Sequence, residues 1–385
     1  MAPFDFMNTP LSVRCPRPSA RLGGLLALLV AGALASGAAA APSPAPRVEV
    51  IDQIVAVKDL CAWPKLALLP NGDIVAAVYN QPSHGAHPGE VDLYASADGG
   101  RIWTKRGTPT RRPPGAFGRL NHAVGVARDG AVHVVSGGWE YEGPDPQNQY
   151  KKKKLVRPEA SRSTDGGRTW KFSTSFPDGA DGMTLVPFGT VETGADGALR
   201  VAAYSYNTAV KPRVDVCYAI ESRDQGQTWT LGGVVGQPAA NETDLMHLGG
   251  GRWLAAARNL GRAGAPGHAI DLFASDDDAR TWRLLAQPTT GNQHPGDLLK
   301  LADGRVLLVF GDRRPGHLGV GAMLSADGGR TWSEGVPLTK GLATRDSGYP
   351  SSVQLRDGTI VTGFYAAKSE AYPGYQFGVV RWKLP

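Results

Sequence analysis

Cysteine is scarce in this chain: three occur in 385 residues, at Cys15, Cys61 and Cys217. That excludes a scaffold built on disulfides. Cys61 and Cys217 lie far apart in sequence and read as two buried thiols more readily than as a bridge. No stretch spaces His, Cys, Asp and Glu as a metal site requires, so no metal and no other cofactor is expected. No nucleic-acid motif and no long basic helix is present, which removes nucleic acid from the candidate partners. Excess charge is also small, at +6 overall. The dense basic cluster, Lys151–Lys154, reads as a solvated loop.

Long apolar runs are confined to the first residues. Arg14, Arg17 and Arg21 precede LLALLVAGALASGAAAA, which ends in small side chains. A basic region, a short apolar core and a small-residue end make a secretory leader. Residues 1–41 are expected to be removed near Ala39–Ala41, with a retained anchor as the alternative. Residues 42–47 are a short lead-in, and 48–385 form one domain. Removal takes away three Arg and Asp5, leaving about +4. That is compatible with an acidic glycan without demanding one.

What the chain has in quantity is turns and repeats. Gly (50) and Pro (29) are abundant, as short strands require. One motif occurs five times, as SADGGRIW from Ser96, STDGGRTW from Ser163, SRDQGQTW from Ser222, SDDDARTW from Ser275 and SADGGRTW from Ser325. The starts are 67, 59, 53 and 50 residues apart. That period suits one four-stranded propeller blade per copy. The Asp can accept N–H bonds of its own turn, Gly permits positive φ, and Trp carries apolar area against the next strand. The five motif Asp residues, Asp98, Asp165, Asp224, Asp277 and Asp327, are therefore scaffold.

Between these motifs lie tight turns at Asn71-Gly72, Asp129-Gly130, Asp196-Gly197, Gly249–Gly251, Asp303-Gly304 and Asp357-Gly358. Each sits between apolar alternations, a hairpin signal. Six hairpins predict an all-β, six-bladed propeller. Strand Val48–Ala56 is expected to complete the last blade from the other end of the chain, which removes a sheet edge.

The five motifs and six hairpins resemble the Asp-box, or BNR-repeat, sialidase superfamily across residues 48–385. The resemblance implies particular site residues. Glu242 and Arg258 flank one hairpin as a sialidase Glu and Arg do, the Glu activating a nucleophilic Tyr and the Arg binding the substrate carboxylate. Tyr349 precedes another hairpin in a segment, DSGYPSSVQLRDG, that resembles the nucleophile segment. Its attack needs a base, because a phenol has a pKa near 10. Departures are equally visible. Ala62 stands at the Arg position of the first blade, with Trp63, Lys65 and Lys58 nearby. Gly321 stands near another Arg position, leaving Arg313, Arg314 or Arg345 to reach in. The acid Asp has no counterpart ahead of the second hairpin, where Asn121 and His122 stand; His122 is the expected acid. The loop with His84, His87, Glu90 and Asp92 is expected to bind substrate, through His84 and Asp92 with Trp63. The aromatic loop Trp139–Ala160, YSYN at Tyr204–Asn207, His247 and His294 are further polar or aromatic features near hairpins.

These readings imply an exported, secreted or periplasmic, exo-acting glycoside hydrolase of the sialidase type. It would release an acidic sugar from a glycan, as a monomer without a membrane span after processing. The alternatives are a polysaccharide lyase, with His122 as base and Arg258 on a uronate, and a non-catalytic glycan-binding propeller.

Overall fold

The computed structural model describes residues 42–145, 150–206, 213–237, 240–261 and 267–384. The leader expected at 1–41 lies outside these residues. Turn chemistry and apolar alternation yield an all-β chain of twenty-four strands, with no helix among the described residues.

Strand β1 (Glu49–Lys58) comes first and joins the final sheet. Strands β2 (Lys65–Leu68), β3 (Ile74–Tyr79), β4 (Val91–Ser96) and β5 (Thr104–Gly107) form an antiparallel sheet in chain order. The same order recurs in β6 (Phe117–Val126), β7 (Val132–Pro144), β8 (Tyr150–Ser163) and β9 (Lys171–Ser173). It recurs again in β10 (Leu185–Thr193), β11 (Leu199–Ser205), β12 (Cys217–Ser222) and β13 (Thr230–Gly236). These two runs share one eight-stranded sheet, joined by a short parallel contact of β6 with β10 at Ala123–Gly189 and Val124–Thr190. Two further sheets follow. One holds β14 (Ala240–Gly249), β15 (Arg252–Asn259), β16 (Ile270–Ser275) and β17 (Arg283–Ala286); the other holds β18 (Gln293–Lys300), β19 (Val306–Asp312), β20 (Gly319–Ser325) and β21 (Val336–Pro337). The last consists of β22 (Ser347–Gln354), β23 (Ile360–Ala366) and β24 (Gln376–Lys383), completed by β1. β1 runs antiparallel to β24 from Glu49–Lys383 to Lys58–Gln376, as the alternation at its sequence implies.

The first strands of these runs touch in succession: β2, β6, β10, β14, β18 and β22, with β22 returning to β2. The arrangement is propeller-like. Both kinds of sequence turn fall at one end of it, because strands one and two are joined by the tight hairpins and strands three and four by the Asp motifs. The opposite end is built from the starts of the first strands and the ends of the second strands.

The Asp motifs act as scaffold. In the fifth copy Asp327 Oδ1 accepts the Ser325 hydroxyl at 2.8 Å and the N–H groups of Arg330 and Thr331 at 3.0 and 2.9 Å, and Trp332 Nε1 donates to the Gly329 carbonyl at 3.0 Å. In the fourth copy Ala279 takes the Gly position at a φ of 61°, so the turn keeps its left-handed geometry at a cost in strain.

Near the axis, buried side chains tie one first strand to the next. Asp244 Oδ2 accepts Leu298 N–H at 2.8 Å, Asp297 Oδ2 accepts Ser352 N–H at 2.8 Å, and Ser351 Oγ accepts Leu66 N–H at 3.0 Å. Burial pushes both carboxyl groups above the usual carboxylate range. Replacing Asp297 by Ala leaves a buried N–H without its acceptor, which costs about 1–3 kcal/mol. Denaturant unfolding of Asp297→Ala is expected to show that loss, whereas exposed Asp276→Ala stays within about 0.5 kcal/mol of the parent.

Candidate active site

Ahead of five of the six tight turns, one residue stands at the same place at or just before the first strand. Trp63, Asn121, Glu242 and Tyr349 lie eight residues before Asn71, Asp129, Gly250 and Asp357 of their turns, and Phe188 lies eight before Asp196. Pairing breaks beside this position: register shifts fall between Asn241 and Asp244, between Gly348 and Ser351, and between Arg119 and His122. Such bulges re-aim a side chain. Glu242 and Tyr349 accordingly have φ values of 33° and 50°, and Trp63, just ahead of β2, has 62°. Non-glycine residues in this region carry strain, and such strain gathers at functional sites.

The bulges bring together residues far apart in sequence. Tyr349 Oη donates to Glu242 Oε1 at 2.7 Å. Arg258, at the end of β15, donates from one terminal nitrogen to Glu242 Oε2 at 2.5 Å, and the same nitrogen lies 3.5 Å from Tyr349 Oη. Arg313, which follows β19, sets its guanidinium 5.1 Å from the centre of the Tyr349 ring and donates to the Ser347 carbonyl at 2.8 Å. Trp63 and Phe188 pack edge-on to Tyr349 at 6.0 and 5.9 Å. A cavity of about 730 Å³ opens beside this group. Glu242, Trp63, His84, Asn121, Tyr204 and Tyr206 border it. Tyr349 itself is only 3% exposed. A larger cleft of about 840 Å³, between Gln293 and Glu370, has none of the cluster in its wall.

The electrostatics hold the shared proton on Tyr349 and keep Glu242 ionised in the resting site. Burial raises the Glu242 pKa, but the Arg258 charge and the hydrogen bonds from Tyr349 and Arg258 outweigh it, so the group stays below the usual carboxylate range. Burial, then the Glu242 charge, pushes the Tyr349 phenol well above its ordinary value despite Arg258 and Arg313. The resting pair is a neutral phenol donating to a carboxylate. Arg258 is itself pushed upward, since Glu242 outweighs its burial. Burial and the two arginines drive His294 below the ordinary imidazole value, and they lower His268 as well.

The sequence expectations divide at this point. Glu242, Arg258, Tyr349, Arg313, Trp63 and His84 come together. His122 does not join them. Its side chain is fully buried, with Nδ1 2.6 Å from the Leu120 carbonyl and Nε2 2.9 Å from the Ala77 carbonyl. Strand alternation turns Asn121 to the cavity and its neighbour His122 into the interior. That position removes His122 from the acid role. Asp92 is 4% exposed and takes up Thr108 Oγ1 at 2.8 Å and Lys105 Nζ at 2.8 Å, away from the cavity wall. It is scaffold. Arg345 donates to Asn292 Oδ1 at 2.8 Å and touches none of the cluster. Arg314 pairs with Asp312, Lys58 lies over the Tyr372 ring, and Lys65 is buried over Phe188 at 4.3 Å.

Sequence reading missed several members. His268 Nδ1 is 3.2 Å from Arg258. Asp346 and Tyr365 form a polar group beside His84. Lys152, Lys153 and Lys154, read as a solvated loop, border the cavity from β8. Arg213 stacks on Tyr206 at 4.1 Å and pairs with Asp215. The shared place before each turn was a usable signal for Asn121 and Phe188, but nothing local pointed to Asp346. Among the described residues no group of His, Cys, Asp and Glu is arranged to hold a metal ion.

Comparison with known proteins places this geometry in context. The model of the BNR repeat-like domain matches residues 132–362. A sialidase of Micromonospora viridifaciens is 25% identical over 397 residues, covering 91% of this chain and 58% of that protein. The chain thus spans somewhat over half the length of that relative. Among solved structures, a protein of unknown function from Dyadobacter fermentans aligns with a TM-score of 0.70 at 20% identity, over 88% of this chain and 99% of that one. A Hadza microbial sialidase aligns with a TM-score of 0.64 at 20% identity, over 83% and 65%. Trypanosoma rangeli sialidase in its 2,3-difluorosialic acid covalent intermediate aligns with a TM-score of 0.61 at 14% identity, over 89% and 59%. At these identities the structural likeness shows the fold.

The buried state of His122 has a consequence in pH. Burial lowers its pKa from 6.5 to about 4. A depressed folded pKa contributes stability above the unfolded value that is lost as pH falls through the folded one. Between pH 6.5 and about 4 the parent is therefore expected to lose stability that His122→Asn does not lose. Melting temperatures of both proteins across that range check this; parallel curves would contradict it.

Proposed function

The chain belongs to the family of BNR repeat-like domains, and from that premise we propose that it is an exo-acting glycoside hydrolase of the sialidase type. Tyr349 is the nucleophile, Glu242 its base, and Arg258 with Arg313 the cradle for an acidic group of the sugar. The observation that carries the reading is the Tyr349–Glu242 hydrogen bond of 2.7 Å with Arg258 touching both partners. A phenol held on a carboxylate loses its proton as it attacks, which splits one difficult displacement into two easier ones. The Arg258 charge steadies the Glu242 carboxylate before the transfer. The name of the Micromonospora viridifaciens relative supports a sialic acid or a related acidic sugar as the group released.

The wider reading is a single six-bladed propeller of residues 48–385. In it the eight-stranded sheet counts as two blades meeting at Ala123–Gly189. Export by the leader at 1–41, to the periplasm or outside the cell, brings the protein to its glycan. It works there as a monomer without a cofactor. No helix among the described residues is long and apolar enough to cross a membrane. The lyase alternative loses its base, because His122 is fully buried. A glycan-binding propeller gives no use to the strained backbone at Glu242 and Tyr349.

Purified protein and its Tyr349→Phe and Glu242→Gln variants are to be incubated with sialylated and uronate-capped glycans, with products followed by mass spectrometry. The parent is expected to release a hydrated acidic monosaccharide. Glu242→Gln should slow release by about 10²–10⁴-fold, and Tyr349→Phe by at least as much. An unsaturated product lighter by one water, or full activity of Tyr349→Phe, would overturn the reading.

A further inference from the structure

Removing His122 from the acid role leaves the leaving-group oxygen without a proton donor. One titratable pair at the cavity has no task so far. His84 comes from the loop between β3 and β4, and Asp346 directly precedes β22. The turn of the chain back to its start brings them together, with His84 Nδ1 2.6 Å from Asp346 Oδ1. Asp346 also accepts Tyr365 Oη at 2.6 Å and Tyr375 Oη at 2.5 Å. Three donors from three segments therefore fix one carboxylate. Burial pushes the Asp346 pKa up, but His84 and the two phenols outweigh it and hold the group well below the usual range.

An ionised acceptor at Nδ1 settles the tautomer of His84. Nδ1 keeps its proton, and Nε2 is the nitrogen that exchanges one. Among the described residues Nε2 has no hydrogen-bond partner, and the side chain is 44% exposed. His84 borders the cavity, with its ring 5.1 Å from Trp63 and 6.5 Å from Tyr349. The groups facing it are Asp346, Tyr365, Tyr349 and Trp63, with Lys152 on the same cavity wall.

Resting on the reading of Tyr349 as nucleophile, we propose that His84 is the acid and base of the reaction and that Asp346 is its positioning residue. In the first step Tyr349 Oη bonds to the anomeric carbon and its proton passes to Glu242. The bond from that carbon to the leaving oxygen breaks, its electron pair goes to the oxygen, and His84 Nε2–H protonates it. In the second step His84 Nε2 takes a proton from water, whose oxygen bonds to the anomeric carbon. The carbon–Tyr349 bond breaks, and the phenolate recovers its proton from Glu242. Water is the sole co-reactant, and both groups return to their starting states.

The test compares leaving groups. Parent, His84→Gln and Asp346→Asn are assayed with methylumbelliferyl sialoside, whose leaving group needs no proton, and with sialyllactose, whose leaving group does. The quantity compared is kcat/KM, which reads the first step; thermal unfolding checks that each variant is folded. The expected result for His84→Gln is a loss of about 10²-fold or more on sialyllactose and a far smaller loss on the aryl substrate. Free azide should then accelerate turnover of the aryl substrate by the variant, since water has lost its base. Asp346→Asn should show the same split in weaker form. Equal losses on both substrates from a folded His84→Gln would overturn the proposal and leave the Tyr349 reading intact. A parent inactive on both would overturn that reading and the proposal with it.

Discussion

The geometry of the mouth depends on a layer of buried polar side chains just beneath it. Lys65, Asp244, Asp297 and Ser351 each stand six residues before Asn71, Gly250, Asp303 and Asp357 of their turns. Among the described residues β6 and β10 share a short ladder, and elsewhere side chains link one first strand to the next. Asp244 reaches Leu298 N–H, Asp297 reaches Ser352 N–H, and Ser351 takes Leu66 N–H. His122, one residue above this layer, faces the Ala77 carbonyl. First strands that diverge from an axis cannot satisfy every backbone group by pairing with each other. Side-chain acceptors supply the missing partners. A carboxylate so placed sets the distance between neighbouring strands to within the tolerance of a hydrogen bond, and the residues two positions above inherit that spacing. The contact of Tyr349 on one sheet with Glu242 on another therefore follows from the layer below.

Fixing the layer also explains the strain above it. Staple and mouth residue lie two positions apart on one strand, so an unbroken strand would point them along the same face. Each bulge inserts the extra residue that separates their tasks, one side chain tying strands and the other meeting the cavity. Left-handed φ values at Glu242 and Tyr349 are the local cost. The surrounding packing over-determines that conformation: Tyr349 touches Trp63, Phe188, His84 and Tyr365. A preorganised site of this kind does not have to assemble when substrate arrives.

Much of this was legible in the sequence because its causes are local. Five Asp turns and six Gly-containing turns mark strand ends whatever surrounds them. Glu242, Arg258 and Tyr349 came from the resemblance, which is carried by segments beside such turns. His122 was chosen as the titratable residue where the acid Asp has no counterpart, but β alternation sends Asn121 to the cavity and His122 into the interior. Asp92 was misjudged for a related reason: a polar loop was read as one unit, though its last residue already belongs to β4. The pairing of His84 with Asp346 was beyond such reading. It joins residues 262 positions apart, and only closure of the chain on itself makes them neighbours.

Charge distribution around the cavity adds the last constraint. The carboxylates of Glu242 and Asp346 are already engaged, the first by Arg258 and the second by His84 with two phenols. Among the described residues Arg313 pairs with no carboxylate; it donates to a backbone carbonyl and stands against His294 and the Tyr349 ring. The lysines of β8 add positive charge at the rim. A buried guanidinium with only neutral acceptors is expensive to maintain unless an anion completes it. A neutral sugar offers nothing to repay that cost, whereas a carboxylate matches the planar fork of the arginine in both charge and shape. In the proposed reaction an anion held by Arg258 and Arg313 would present its anomeric carbon to Tyr349 Oη, with the exposed flank at His84 left for the departing oxygen. On the proposed reading, recognition and reaction share one set of charges: the arginines that would select an acidic sugar also hold Glu242 ionised.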